Sequence, residues 1–169
     1  MATVSAQVII NGALRLLGVI NPEDSASPTA NQTANALEAL NQLLLSWSGK
    51  RFVVPNLITE TFNLVASQAS YTWATGANFN SQRPLEVMGG YVHDTSSGID
   101  FALDVKDQAW YDSVGLKTIG TIPESIFYNA LYPTGTIYFY PVPDKVYSVT
   151  LDSQKALVEI ATAATAINM

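Results

Sequence analysis

One histidine, His93, stands beside Asp94 near the end of an apolar, β-branched stretch. Histidine and aspartate are two members of a hydrolytic triad, but the third needs a nucleophile within hydrogen-bond reach, and no such residue is marked out by the sequence. A strand-edge histidine is the simpler account. Asp100, Asp104 and Asp107 cluster further on. Their spacing is not that of a calcium loop, which also needs a central glycine and a closing glutamate. They fit a helix cap and solvated charges. The chain has no cysteine, which removes disulfides, thiolate zinc sites and cysteine nucleophiles together. No other group of His, Cys or carboxylate residues suggests a metal site. Gly89-Gly90 sits inside an apolar strand pattern, where a bulge or close backbone contact explains it better than phosphate binding. Neither a glycine-rich phosphate loop nor a nucleophile elbow is present. Paired carboxylates of the glycosidase kind meet only in three dimensions, so sequence does not test them. The reading is a non-enzyme, with no metal or cofactor.

Aromatic side chains are the other candidates. Tyr71, Trp73, Trp110, Tyr111, Tyr138 and Tyr140 belong to a concentration of rings after residue 70. A sugar-binding module exposes such rings on a sheet face. Most here alternate along strands, which suits a core or a subunit interface.

The elements that would position these residues fall into two parts. Residues 5–17 read as a helix, with Ala6, Ile9, Ile10, Ala13, Leu14, Leu16 and Leu17 forming a broad apolar stripe. Thr3 or Ser5 can cap it, Gly18 suits its left-handed end, and Arg15 faces the negative end of its dipole. After a turn-rich connector, a second helix is predicted over about 28–48. Ser27 is its cap and Pro28 its first residue, with Leu37, Leu40, Leu44 and Trp47 on its apolar side. The short connector favours antiparallel packing. From Phe52 the chain turns to β chemistry. Strands are predicted at 57–64, 70–73, 85–93, 99–103, 124–130, 135–140 and 146–151, with one short amphipathic helix at 104–114 capped by Asp104. The alanine-rich tail, 155–169, can begin a helix or stay unordered. The expected fold is therefore α+β: an N-terminal antiparallel helical hairpin (1–52), an antiparallel β-rich domain with one inserted helix (53–154), and the tail.

Charge narrows the function. Charged residues are 13% of the chain, against about 25% in ordinary soluble domains, which fits surface hidden against partner subunits. The net charge is −6, and residues 1–55 carry three basic and three acidic groups, so the rest of the chain carries all of it. High-affinity nucleic-acid binding wants a basic face, and none is evident. No apolar run approaches the ~18 residues of a membrane span, and the start does not read as a signal peptide.

Three segments, in order, resemble the head-to-tail adaptor proteins of short-tailed bacteriophages. The first is the helix end Leu40-Asn41, Leu43, Leu44 and Trp47, running to Pro55. The second is Tyr71 through Gly76, Asn78 and Phe79 to Arg83-Pro84. The third is Pro123, Tyr128, Pro133 and Gly135, then Ile137-Tyr138-Phe139-Tyr140-Pro141-Val142-Pro143. The resemblance covers about residues 5–155. It implies a structural virion protein of the neck or tail, assembled in the host cytoplasm as a homo-oligomeric ring, commonly twelve-fold. Such a ring docks on the portal, holds the tail nozzle and passes genomic DNA through its channel without specific binding. Candidate structural or interface residues are Arg15, Trp47, Lys50, Arg51, Arg83, Tyr138 and Tyr140. Lys50 and Arg51 would meet acidic groups on a partner or simply solvate a turn, and Trp47 would anchor the helices. Relatives usually continue into further helices after the Pro-rich step, so the end at Met169 suggests a truncated or shorter member. The other readings left open are a stopper or minor tail subunit and a carbohydrate-binding β module.

Overall fold

The computed structural model describes residues 3–21, 27–48, 57–156 and 160–168. The chain divides into two compact units, one of residues 1–54 with 157–169, the other of residues 55–156. The architecture is mixed α+β.

The first unit holds a short strand β1 (Thr3–Ser5), helix α1 (Ala6–Leu16), helix α2 (Ala30–Ser48) and a C-terminal strand β10 (Ala166–Asn168). Its core is small. Ile10, Leu14 and Ile20 are buried, with Ala36, Leu37 and Ala163 packed against them. Gly18 takes the left-handed conformation expected at the end of α1, with φ 71°, and its amide closes on the Arg15 carbonyl. The start of α1 differs from the sequence reading. Ser5 occupies the cap position but makes no side-chain capping bond. Instead the free amides of Ala6 and Gln7 donate to the carbonyls of Thr165 and Ala163, at 3.1 and 2.7 Å. The first amides of a helix need acceptors from outside it, and the C-terminal segment supplies them. The same segment pairs antiparallel, β10 on β1, so it ends as a strand and not as the start of a helix. The start of α2 also shifts: Thr29, not Ser27, is the cap. The Gln32 amide donates to Thr29 Oγ1, and the Thr29 amide donates to Gln32 Oε1, a reciprocal capping box.

The second unit is a pair of four-stranded sheets. Its strands are β2 (Leu57–Leu64), β3 (Ser70–Trp73), β4 (Pro84–Asp94), β5 (Ile99–Ala102), β6 (Asp104–Lys106), β7 (Ser125–Asn129), β8 (Gly135–Tyr140) and β9 (Tyr147–Lys155), with helix α3 (Gln108–Ser113). One sheet runs β2-β9-β4-β5, the other β3-β8-β7-β6. Between them lie fully buried Trp73, Phe79, Ile137, Phe139, Tyr147 and Val149. Phe62 stacks on Phe79 with centroids 4.2 Å apart, and Tyr71 meets Phe139 edge-on at 5.5 Å. The expected all-antiparallel domain is corrected at one place, because β6 pairs with β7 in parallel. Residues 104–106, read as the start of a helix, form that strand, and the helix begins only after Asp107, which caps it by accepting the Trp110 amide. Parallel neighbours cannot be joined by a tight hairpin and need a crossover, which α3 and the loop after it provide.

Two glycines have steric reasons. A Cβ on Gly90 would overlap the Thr150 carbonyl oxygen across the β4–β9 ladder, and one on Gly135 would overlap the Tyr128 hydroxyl. The ladder also shifts register between Val87 and Gly89, so the Gly89-Gly90 pair serves an irregular strand and a close backbone approach.

Candidate assembly surfaces

The helical unit has more apolar surface than its small core can use. Ile10 and Leu14 face that core, while Ile9, Ala13 and Leu17 of the α1 side, with Leu40 and Leu43 of α2, line an open groove of about 460 Å³. Leu17, at the groove, is 75% exposed, and Leu16 beside it 91%. A helix apolar around more than one stripe needs more than one neighbour. Arg15 is exposed in the last turn of α1, and Trp47 is half-buried near the end of α2. Lys50 and Arg51 lie outside the described residues.

Asn41 has a role that reading α2 as a polar-and-apolar helix missed. Its amide nitrogen donates to the Ile160 carbonyl and its carbonyl oxygen accepts the Ile160 amide, both at 3.0 Å. One side chain thereby satisfies both backbone groups of a distant residue, groups that would cost free energy if buried alone. It holds the C-terminal segment on α2. The only hint in sequence is the Leu40-Asn41 pair within the phage-adaptor resemblance.

In the β unit two ionic clusters reach inside the fold. At one end of β9, Lys155 is 3% exposed, pairs with the Glu60 carboxylate and donates to Ser81 Oγ at 2.8 Å. Ser81 also accepts the Trp73 indole N–H at 2.8 Å and donates to Glu60 at 3.0 Å. One hydroxyl proton and two acceptor positions are all it has, and all are used. Before the other end of β9, buried Asp94 accepts the Ser96 hydroxyl at 2.6 Å, the Lys145 ammonium at 2.9 Å and the Ser96 amide at 2.9 Å. These contacts, the Ser96 hydroxyl foremost, hold its carboxyl well below the usual carboxylate range. Nearby, burial pushes the Tyr147 phenol well above its ordinary value, and so does its hydrogen bond to Asp144 at 2.6 Å.

His93 turns away from Asp94. Its Nδ1 lies 2.7 Å from the Asp100 carboxylate, directly opposite on β5. Neighbours along a strand face opposite sides of the sheet, so Asp94, next in the chain, lies on the other face. Ser148 is opposite His93 on β9, so Asp, His and Ser stand in a row. Among the described residues no hydrogen bond joins Ser148 to the imidazole, and the pair His93–Asp100 is largely exposed. The arrangement lacks the nucleophile–base contact that acyl transfer requires.

Tyr138 and Tyr140 share the outer face of the second sheet with α3. Tyr138 lies 4.8 Å from the Tyr111 ring and stacks on Phe127 at 5.7 Å, while Tyr140 meets Trp110 edge-on at 5.8 Å. Both are half-buried and seat the crossover helix. Arg83 acts elsewhere: it donates to the Ala130 carbonyl at 3.2 Å and lies 6.0 Å from the Tyr132 ring centroid, bracing the β7–β8 turn.

Among the described residues the helical unit leaves an open apolar groove and exposed leucines. The SU10 adaptor protein family matches residues 5–168. The chain belongs to that family. It is a phage head–tail adaptor family, so this adaptor is a structural component of the virion neck, working with portal and tail proteins. No curated protein matches it. The adaptor has no helix, among the described residues, long and apolar enough to cross a membrane.

Proposed function

We propose that this adaptor is one subunit of a closed ring, twelve-fold as is common in the proteins it resembles, docked on the portal above and holding the tail nozzle below. The observation that carries the reading is the exposed apolar groove and its Leu16–Leu17 flank on the helical unit. Surface of that kind marks interaction sites. A heterologous contact repeated between identical copies closes when its rotation divides the circle. In this reading α1 and α2 act as an antiparallel hairpin, residues 1–52, against the neighbour and the portal. Residues 53–154 extend toward the tail, and residues 155–169 form the segment that finishes the helical part. Arg15, and Lys50 with Arg51, supply the few cations available to acidic partner groups. The acidic balance beyond residue 55 lets DNA slide past without specific binding. Assembly takes place in the host cytoplasm before the neck is built into the virion.

The test is to mix the protein with its cognate portal and count symmetry by electron microscopy. Twelve-fold rings on the portal support the reading. Six-fold rings reassign the chain to the stopper or minor tail class, and a protein that never joins a portal but shifts its tryptophan fluorescence with glycans overturns it. Trp47→Ala divides two roles. A lower melting temperature with normal docking assigns Trp47 to the fold, worth about 1.5–3 kcal/mol. An unchanged melting curve with lost docking assigns it to the interface.

A further inference from the structure

The sheet β2-β9-β4-β5 is open at both ends: among the described residues, β2 pairs only with β9 and β5 only with β4. Each step across it is antiparallel. With four strands, the last therefore runs opposite to the first. A second copy placed head to tail thus offers its β5 to β2 in antiparallel sense, the more stable pairing. The other sheet does not have this property. Its single parallel step, β6 on β7, leaves β3 and β6 running the same way, so a head-to-tail join there would be parallel.

The edges also lack two of the usual defences. Exposed edge strands are commonly blunted by lysine or proline, and neither occurs in the LITETFNL of β2 or the IDFA of β5. The one charge of β2 that turns toward the sheet interior, Glu60, is already matched by Lys155. Exposed apolar side chains mark both edges: Leu57 is 58% exposed and Ile99 52%.

We propose that neighbouring copies in the ring join this sheet edge to edge, β2 of one copy pairing with β5 of the next. The proposal rests on the ring reading and names a contact within it. Directly opposed residues must share a face. Thr59, Thr61 and Asn63 lie on the same face as Asp100 and Ala102, through the rows Thr61–Thr150–Tyr91–Ala102 and Asn63–Ser148–His93–Asp100. The register that sets Thr61 opposite Asp100 and Thr59 opposite Ala102 also lays the exposed Ile99 against half-buried Phe62. It brings no like charges together. Four residues of pairing are too few to hold a free dimer. In a closed ring, where another contact already holds each neighbour, the second contact forms at high effective concentration.

The absence of cysteine makes the test clean. Opposed antiparallel residues bring Cα atoms to about 4.5–5.5 Å, within disulfide range. The double variant Thr59→Cys/Ala102→Cys is assembled on the cognate portal and mildly oxidised. A ladder of covalent multimers on non-reducing gels, absent for either single variant, is the expected result. Covalent dimers from Thr59→Cys alone indicate β2 pairing with β2 and overturn the proposal. Normal rings without covalent species overturn it while leaving the ring reading intact. Failure of the wild-type protein to form rings overturns both. If the reduced double variant melts abnormally, Thr61→Cys/Asp100→Cys probes the same register.

Discussion

The two units stabilise themselves in different ways. In the β unit, large rings such as Trp73, Phe79, Phe139 and Tyr147 are at most 1% exposed, and the ionic groups inside it find partners. The helical unit buries mainly Ala6, Ile10, Leu14, Ile20 and Ile160, while Leu16, Leu17, Val19 and Leu45 remain half or more exposed. A sandwich with a continuous core reaches its stability alone. A short helical layer with an open groove keeps apolar surface for a partner. The contrast separates stability from assembly: substitutions in the β core should act on melting, and those on the helices on docking.

The strongest way to break this contrast is Trp73→Ala. It removes the largest fully buried side chain and the indole N–H that Ser81 accepts. Such truncations cost about 3–5 kcal/mol, which should lower the β-unit transition by more than about ten degrees in calorimetry. A shift of a degree or two would mean that the β core is not the stabilising centre. Next is Lys155→Met, which leaves Glu60 without its cation. A broken buried pair costs roughly 3–5 kcal/mol, and since Glu60 is partly exposed, about half that is expected by chemical denaturation. The double variant Lys155→Met/Glu60→Leu should recover most of the loss. If it does not, the lysine stem and not its charge is what matters.

A smaller effect sharpens the contrast from the helical side. Asn41→Ala removes both hydrogen bonds to Ile160 and should cost about 1–2 kcal/mol. Its distinguishing readout is hydrogen exchange: the Ala6 and Gln7 amides, capped by the C-terminal segment, should lose protection while amides of the two four-stranded sheets do not. The mildest prediction concerns acid. Because folding holds Asp94 ionised, its contribution is full above the unfolded carboxyl value, about 4. It is lost as pH falls from there toward the lower folded value. Asp94→Asn should make the decline in stability below about pH 4 shallower. An unchanged pH profile would deny Asp94 that part.

Local pattern reached far into this fold. The period-two alternation of Leu57–Leu64, Ser70–Trp73 and Gly135–Tyr140 marks three strands with the ends they have in the structure, because side-chain alternation across a sheet is written into neighbouring residues. Gly18 likewise signals its left-handed turn without reference to anything distant. The Thr29–Gln32 box was also legible, but Ser27-Pro28 just upstream carries a competing start signal. Of the candidate residues, Tyr138 and Tyr140 could be read as interface or core, and their contact with α3 is visible only in the tertiary structure. Arg83 gave no sign of bracing the β7–β8 turn, since Ala130 lies 47 residues away.

The sequence by itself determined the alternation of β2, β3 and β8, the left-handed turn at Gly18 and the deficit of charge. Tertiary structure alone decided three things. It set β6 parallel to β7, gave His93 to Asp100 instead of Asp94, and brought residues 160–168 back to cap α1 and pair with β1. The reason is common to all three. Alternation, capping and turn preferences act over a few residues, whereas the pairing of distant segments follows from chain closure and from whichever backbone groups and apolar faces remain unsatisfied once the local elements have formed.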